Sequence, residues 1–170
     1  MPDLRIEQAP QPRPTLIRLR VAAAAAADAA QRLGLPTEPC TAIFGEPDRL
    51  WLAPDQWLIA SSAHSSAQLL SAVADGLGSL RHHAVDSSAA LVRTVVGGQA
   101  GRVLLAMGCG VDFAPHTFDT GRCVRTRFAR IPVIIVARGS QHLELIYDRS
   151  YRKYVPSWLE RAATDPVLAA

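Results

Sequence analysis

The chain has 170 residues, 49% hydrophobic and 19% charged, which is enough apolar material for one compact core and too much for a disordered segment. No stretch approaches the roughly 20 apolar residues that span a bilayer, and no basic segment leads into an apolar run with a small-residue cleavage site. The net charge of +3, with Lys153 as the sole lysine, is too small to suggest the clustered basic face of a nucleic-acid binder.

Arginine, which carries the rest of the positive charge, suits partly buried ion pairs and interfaces. Cys40, Cys109 and Cys123 are odd in number and widely spaced, which points to inert thiols in a reducing cytoplasm.

Residues 1–14 hold Pro2, Pro10, Pro12 and Pro14 and read as an arm that forms no regular element alone. Residues 15–170 read as a single domain. Thr15–Val21 alternates, with Ile17, Leu19 and Val21 on one side and Arg18 and Arg20 on the other, as a half-buried strand does. Ala22–Leu33 predicts an alanine-rich helix stopped by Gly34 and Pro36. Cys40–Phe44, Arg49–Leu52 and Trp57–Ser61 read as strands, joined by turns at Gly45–Asp48 and Ala53–Gln56.

Ser65–Leu77 places Leu69, Leu70, Val73 and Leu77 on one stripe of a helix ended by Gly76 and Gly78. Val85–Ser88 and Ala89–Val96 are strand material, broken by Gly97-Gly98. Gln99–Met107 is helical, and residues 108–121 form a loop. Arg122–Ala129 alternates. Ile131–Ala137 reads as a strand buried on both faces, followed by a strand at Leu143–Tyr147. Tyr151, Tyr154, Val155, Trp158, Leu159 and Ala162 mark a final amphipathic helix that Pro156 should kink or restart. The fold class is α+β, mainly antiparallel sheet with packed helices.

The residues that could carry chemistry are scattered. His64, His82, His83, His116 and His142 show no metal-ligand spacing. Asp86-Ser87-Ser88 near His82-His83 has no nucleophile elbow, and Cys109 follows a helix instead of preceding one. The glycines from Gly97 to Gly101 meet neither dinucleotide nor phosphate-loop spacing. The chain is therefore expected to hold no catalytic residue, cofactor or metal of its own.

Two segments carry a recognisable pattern. Leu50-Trp51-Leu52-Ala53-Pro54-Asp55-Gln56-Trp57-Leu58-Ile59 resembles the "W-L-x-P-D-E-W-L-L" run of the sarcosine oxidase gamma subunit family. The stretch from Gly98 to Val136, with Met107-Gly108-Cys109-Gly110-Val111-Asp112, Gly121-Arg122-Cys123, Thr126 and Ile131-Pro132-Val133, is similar to a second run of that family. Arg149-Ser150-Tyr151 through Trp158-Leu159 looks like its closing helix. The resemblance covers about two-thirds of the chain.

This resemblance implies a fold like the folate-binding domain of glycine-cleavage aminomethyltransferase. It implies a non-catalytic subunit of a cytoplasmic bacterial heterotetramer that oxidises sarcosine to glycine and hydrogen peroxide and passes the one-carbon unit to tetrahydrofolate. FAD, FMN, NAD and tetrahydrofolate would lie in the larger alpha and beta subunits, with a small delta subunit as fourth partner. A sibling complex acting on another N-methyl amino acid, or a stand-alone folate binder, are the alternatives. Partner contacts are expected at Trp51, Trp57, Phe118, Arg125 and Arg127, the residue types that concentrate at interfaces, with no nucleic acid and no membrane involved.

Overall fold

The structure, a computed structural model, describes residues 3–8 and 13–169. The prolines at 2, 10 and 12 of the expected arm lie outside the described residues. Where one domain was expected, the chain divides into two compact units. One covers residues 13–89 and the other joins 3–8 to 90–169. Among the described residues no helix is long and apolar enough to cross a membrane.

Strand β1 (Arg5–Gln8) belongs to the second unit. The first unit starts with β2 (Thr15–Val21), which buries Ile17, Leu19 and Val21 and exposes Arg18 and Arg20. The expected helix from Ala22 opens as a 3-10 turn at Ala23–Ala25 and becomes α1 only at Ala26–Leu33. Gly34 ends it at φ 61°, a left-handed stop that costs glycine no Cβ clash. The expected strand Cys40–Phe44 shrinks to β3 (Ala42–Ile43), because Cys40 sits at φ 60° and leaves the extended region.

Strands β4 (Asp48–Ala53) and β5 (Gln56–Ser61) form the predicted hairpin. Helix α2 (Ser66–Leu77) opens on a capping box made by Ser65 and Gln68. Gly76, expected at its end, lies inside it; a Cβ there would fall 2.5 Å from Leu33 Cδ2, so the glycine lets α1 and α2 approach. Strand β6 (His82–Asp86) begins earlier than expected and ends where the Ser88 N–H folds back onto Asp86 Oδ1 at 2.9 Å.

The sheet order is β3-β4-β5-β2-β6, antiparallel throughout. Strands β2 and β4 bracket β5, and β5 and β6 bracket β2; α2 carries the chain from β5 past β2 to β6, and α1 carries it from β2 past β5 and β4 to the edge strand β3, from which the chain turns back into β4. That is the split β-α-β arrangement. Ile17, Leu19, Trp57 and Ile59 pack with Ala29 and Ala30 of α1 and Leu69, Val73 and Leu77 of α2. Full burial of one such aliphatic side chain stabilises by about 1.5–3 kcal/mol.

The second unit contains β7 (Leu91–Gly97), α3 (Gly101–Gly108), β8 (Cys123–Phe128), β9 (Ile131–Gly139), β10 (His142–Asp148) and α4 (Tyr154–Ala162). Its order is β1-β7-β10-β9-β8. The N-terminal strand forms by pairing with β7, from Arg5 opposite Gly97 to Gln8 opposite Thr94. Gly98 admits it: φ is 88°, and a Cβ would overlap the Asp3 carbonyl oxygen at 1.9 Å. Leu104 and Leu105 of α3 and Val155 and Leu159 of α4 cover Val96, Val133, Ile135, Leu143, Leu145 and Tyr147. As read from the sequence, β9 is internal, between β10 and β8. Pro156 is the third residue of α4, where the missing N–H falls among donors that have no intrahelical partner in any case. The helix therefore restarts there and is not kinked.

The β8–β9 connection is a two-residue turn, with Ala129 at φ 46° and Arg130 at φ 74°. Hairpins place Asn or Gly at such positions. Here the Ala129 N–H donates to the Gly108 carbonyl at 2.8 Å, and the Tyr154 hydroxyl donates to the Ala129 carbonyl at 2.9 Å. Phe128 and Trp158 meet edge to face at 4.8 Å. Both rings close over Gly108, where a Cβ would lie 2.6 Å from Phe128 and 2.8 Å from Trp158. Gly108→Ala should therefore destabilise the protein by about 1–3 kcal/mol through overpacking, despite alanine's better helix propensity. The midpoint of urea unfolding measures this.

Candidate functional site

Pairing places Trp57 opposite Leu19 on one side and Trp51 on the other, so both tryptophans lie on the face that carries the core of the first unit. Trp57 is 2% exposed and donates its indole N–H to the Pro36 carbonyl at 2.9 Å. Trp51 is half-buried against the same core. Phe118 is 4% exposed and meets Phe113 edge to face at 5.4 Å. Trp57 and Phe118 are thus interior side chains that offer no docking surface without local unfolding. Arg125 and Arg127 are exposed on the edge strand β8. Only Trp51 and the two arginines remain accessible from the expected set, and they do not sit in one unit.

The side chains weighed for chemistry are engaged by their own fold. Ser88 donates its hydroxyl to Asp86 and accepts the Leu16 N–H at 2.9 Å, while His82 Nδ1 lies 2.8 Å from the Leu80 carbonyl. Asp86 and His82 do not converge on a serine. Cys109 is buried, with its sulfur 3.8 Å from Thr126 Oγ1. The N-terminal end of α3, next to the Gly97-Gly98 pair, faces the Asp3 carbonyl, which accepts the Ala100 N–H at 3.4 Å. A backbone oxygen fills the place that a phosphate would take.

A serine, a histidine and a glutamate that sequence reasoning did not group come together at the end of β5. Ser61 donates to Glu46, and His64 Nδ1 lies 3.1 Å from Ser61 Oγ and 3.4 Å from Glu46 Oε1. A catalytic triad needs the two imidazole nitrogens divided between nucleophile and carboxylate. Here one nitrogen faces both. The Ser61 hydroxyl also accepts the N–H groups of Ala63 and His64, at 3.2 and 2.8 Å, so the cluster closes a turn. Among the described residues no group of three or more potential metal ligands forms.

Two other arginine sites shape the second unit. Arg102 of α3 donates to the carbonyls of Phe113 and Phe118, each at 2.8 Å, and to the Ser140 carbonyl at 2.9 Å. Burial lowers its pKa against the opposing pull of Asp119. One guanidinium thus pins the long loop between α3 and β8. Glu144 of β10 is 3% exposed and accepts from Arg93 at 2.6 Å; Arg138 Nε lies 3.0 Å from the same oxygen but is out of line for a hydrogen bond. Neither cluster was legible as a motif, because its members lie far apart in the chain and meet only across the tertiary fold.

Comparison with known proteins gives three findings. The model of the sarcosine oxidase, gamma subunit family matches residues 19–165. No curated protein matches in sequence. Among solved structures, a chain of the heterotetrameric sarcosine oxidase from Corynebacterium sp. U-96, in complex with pyrrole 2-carboxylate, is similar at 25% identity and a TM-score of 0.82. That match covers 94% of this chain and 83% of that one. The glycine cleavage system aminomethyltransferase T from Bartonella henselae shares the fold at 11% identity and a TM-score of 0.64, over 92% of this chain and 45% of that one.

Two outcomes follow from this geometry. The Ser88 hydroxyl holds the Asp86 carboxyl below its ordinary pKa, and the Ser61 hydroxyl does the same for Glu46. A depressed folded-state pKa adds stability that is complete above the unfolded value of about 4 and is lost as pH falls through the folded value. Asp86→Asn should lower stability at neutral pH and flatten the acid limb, read as urea midpoints between pH 7 and 3. Arg102→Gln should speed amide exchange in the loop between α3 and β8 while leaving the β9 and β10 amides protected, as hydrogen-exchange mass spectrometry would show.

Proposed function

Since the chain belongs to the sarcosine oxidase gamma subunit family, we propose that it is a structural, non-catalytic subunit of a heterotetrameric oxidase of sarcosine or a related N-methyl amino acid. The observation that carries this reading is the match to the gamma subunit family, joined to the likeness to a chain of a heterotetrameric sarcosine oxidase over nearly the whole length. The side-chain chemistry supports it. Asp86, Ser88, His82, Cys109 and the Glu46–Ser61–His64 cluster each serve a turn or a core.

On this reading the reaction takes sarcosine, oxygen and tetrahydrofolate to glycine, hydrogen peroxide and methylene-tetrahydrofolate on larger alpha and beta subunits in the cytoplasm. Those subunits hold the FAD, FMN, NAD and folate, and a small delta chain completes the assembly. This chain contributes surface. Arg125 and Arg127 belong to that surface, and Trp51 to a second part of it.

Purification of the tagged chain from its native cell tests the proposal. Two larger flavin-containing chains and a very small one should come with it, and the isolated chain should not oxidise sarcosine. A lone stable monomer would overturn the reading. Binding of tetrahydrofolate by the isolated chain at micromolar affinity, about −8 kcal/mol, would support a stand-alone folate binder instead.

A further inference from the structure

The charged side chains of residues 123–130 and 149–159 are all cationic: Arg125, Arg127 and Arg130 in the first segment, Arg149, Arg152 and Lys153 in the second. Together they exceed the net charge of +3 of the whole chain. All six are exposed, and none pairs with a carboxylate among the described residues.

The fold ties these segments together. Tyr154, next to Lys153, donates its hydroxyl to Ala129, next to Arg130, at 2.9 Å. Ala129 is bonded in turn to Gly108 at the end of α3, at 2.8 Å. At this junction Tyr154 is 39% exposed, and Met107, beside Gly108, is also 39% exposed. Arg130 itself is held at φ 74°, where glycine would sit without strain. Strain maintained by surrounding contacts and carrying an unpaired cation points to use of that cation.

We propose that the β8–β9 turn, the end of α3 and the start of α4 form a docking surface for a larger subunit of the same complex, one that presents carboxylates around an apolar patch. This rests on the subunit reading above. Exposed Tyr and Met beside arginine match the composition of protein interfaces. A rim of one sign steers the partner and fixes register. Tyr154 and Met107 form its apolar centre, and Arg130 and Lys153, flanked by Arg127 and Arg152, form its rim.

Lys153 is the only lysine, which makes the test specific. Amine-reactive labelling, read by peptide mapping, should fall several-fold at Lys153 in the assembled complex relative to the isolated chain. A carboxylate-to-amine crosslinker should join Lys153 to an Asp or Glu of a larger chain. The double variant Arg130→Glu/Lys153→Glu should recover about tenfold less of the larger chains, more so at low salt, with an unchanged circular dichroism spectrum. Arg130→Gly should raise the melting temperature yet weaken assembly. Arg81→Glu, exposed in the other unit, should leave assembly intact.

Equal labelling of Lys153 in both states, with normal assembly of the double variant, would overturn this surface and leave the subunit reading standing. Failure of the wild-type chain to bring down any larger chain would overturn both. Steeply salt-dependent binding to duplex DNA, lost in the double variant, would assign the surface to nucleic acid and sink the protein-docking proposal.

Discussion

Position 108 has no room for a side-chain atom, and the architecture of the second unit is built around that fact. Phe128 and Trp158 occupy the space a Cβ would need, so the end of α3, the tip of the β8–β9 hairpin and the face of α4 pack within van der Waals distance. The close approach brings the Gly108 carbonyl to the Ala129 N–H and the Tyr154 hydroxyl to the Ala129 carbonyl. Those two hydrogen bonds hold a turn whose residues, alanine and arginine, have little intrinsic preference for the left-handed conformation. A missing methyl group at one place thus fixes backbone geometry at another.

Charge is sorted between interior and surface by the same unit. Glu144, inside the sheet, is compensated by the guanidinium of Arg93, as a buried carboxylate requires. Arg102 is partly desolvated and meets three carbonyls, so its donors order a loop that has no regular backbone ladder. Among the described residues, Arg125 and Arg127 of β8, Arg130 of the hairpin turn and Arg149, Arg152 and Lys153 ahead of α4 pair with no carboxylate and are exposed. Arg93 and Arg102 are thus held by acceptors of their own unit.

The likeness to the aminomethyltransferase at 11% identity shows that this arrangement of strands and helices persists where few side chains coincide. A shared fold leaves open what exposed loops and edges carry, and function resides there.

The sequence by itself determined the elements whose signal is local. The alternation of Thr15–Val21, the stripe of Leu69, Val73 and Leu77 and the apolar run of Ile131–Ala137 each follow from the spacing of side chains on a strand or helix, and the α+β class follows from their order. The family was legible in two short runs of residues, because turn residues and core residues recur at fixed spacing. Only the tertiary structure decided the rest. Strand β1 exists because β7 offers it an edge some 86 residues away. The glycine pair at 97–98 serves that strand and not a phosphate. Trp57 and Phe118 carry no local mark to tell an interior aromatic from an interface aromatic, and packing within their own units put both inside. The turn at Ala129–Arg130 has no glycine or asparagine to announce it, since its conformation is imposed by hydrogen bonds from residues distant in sequence.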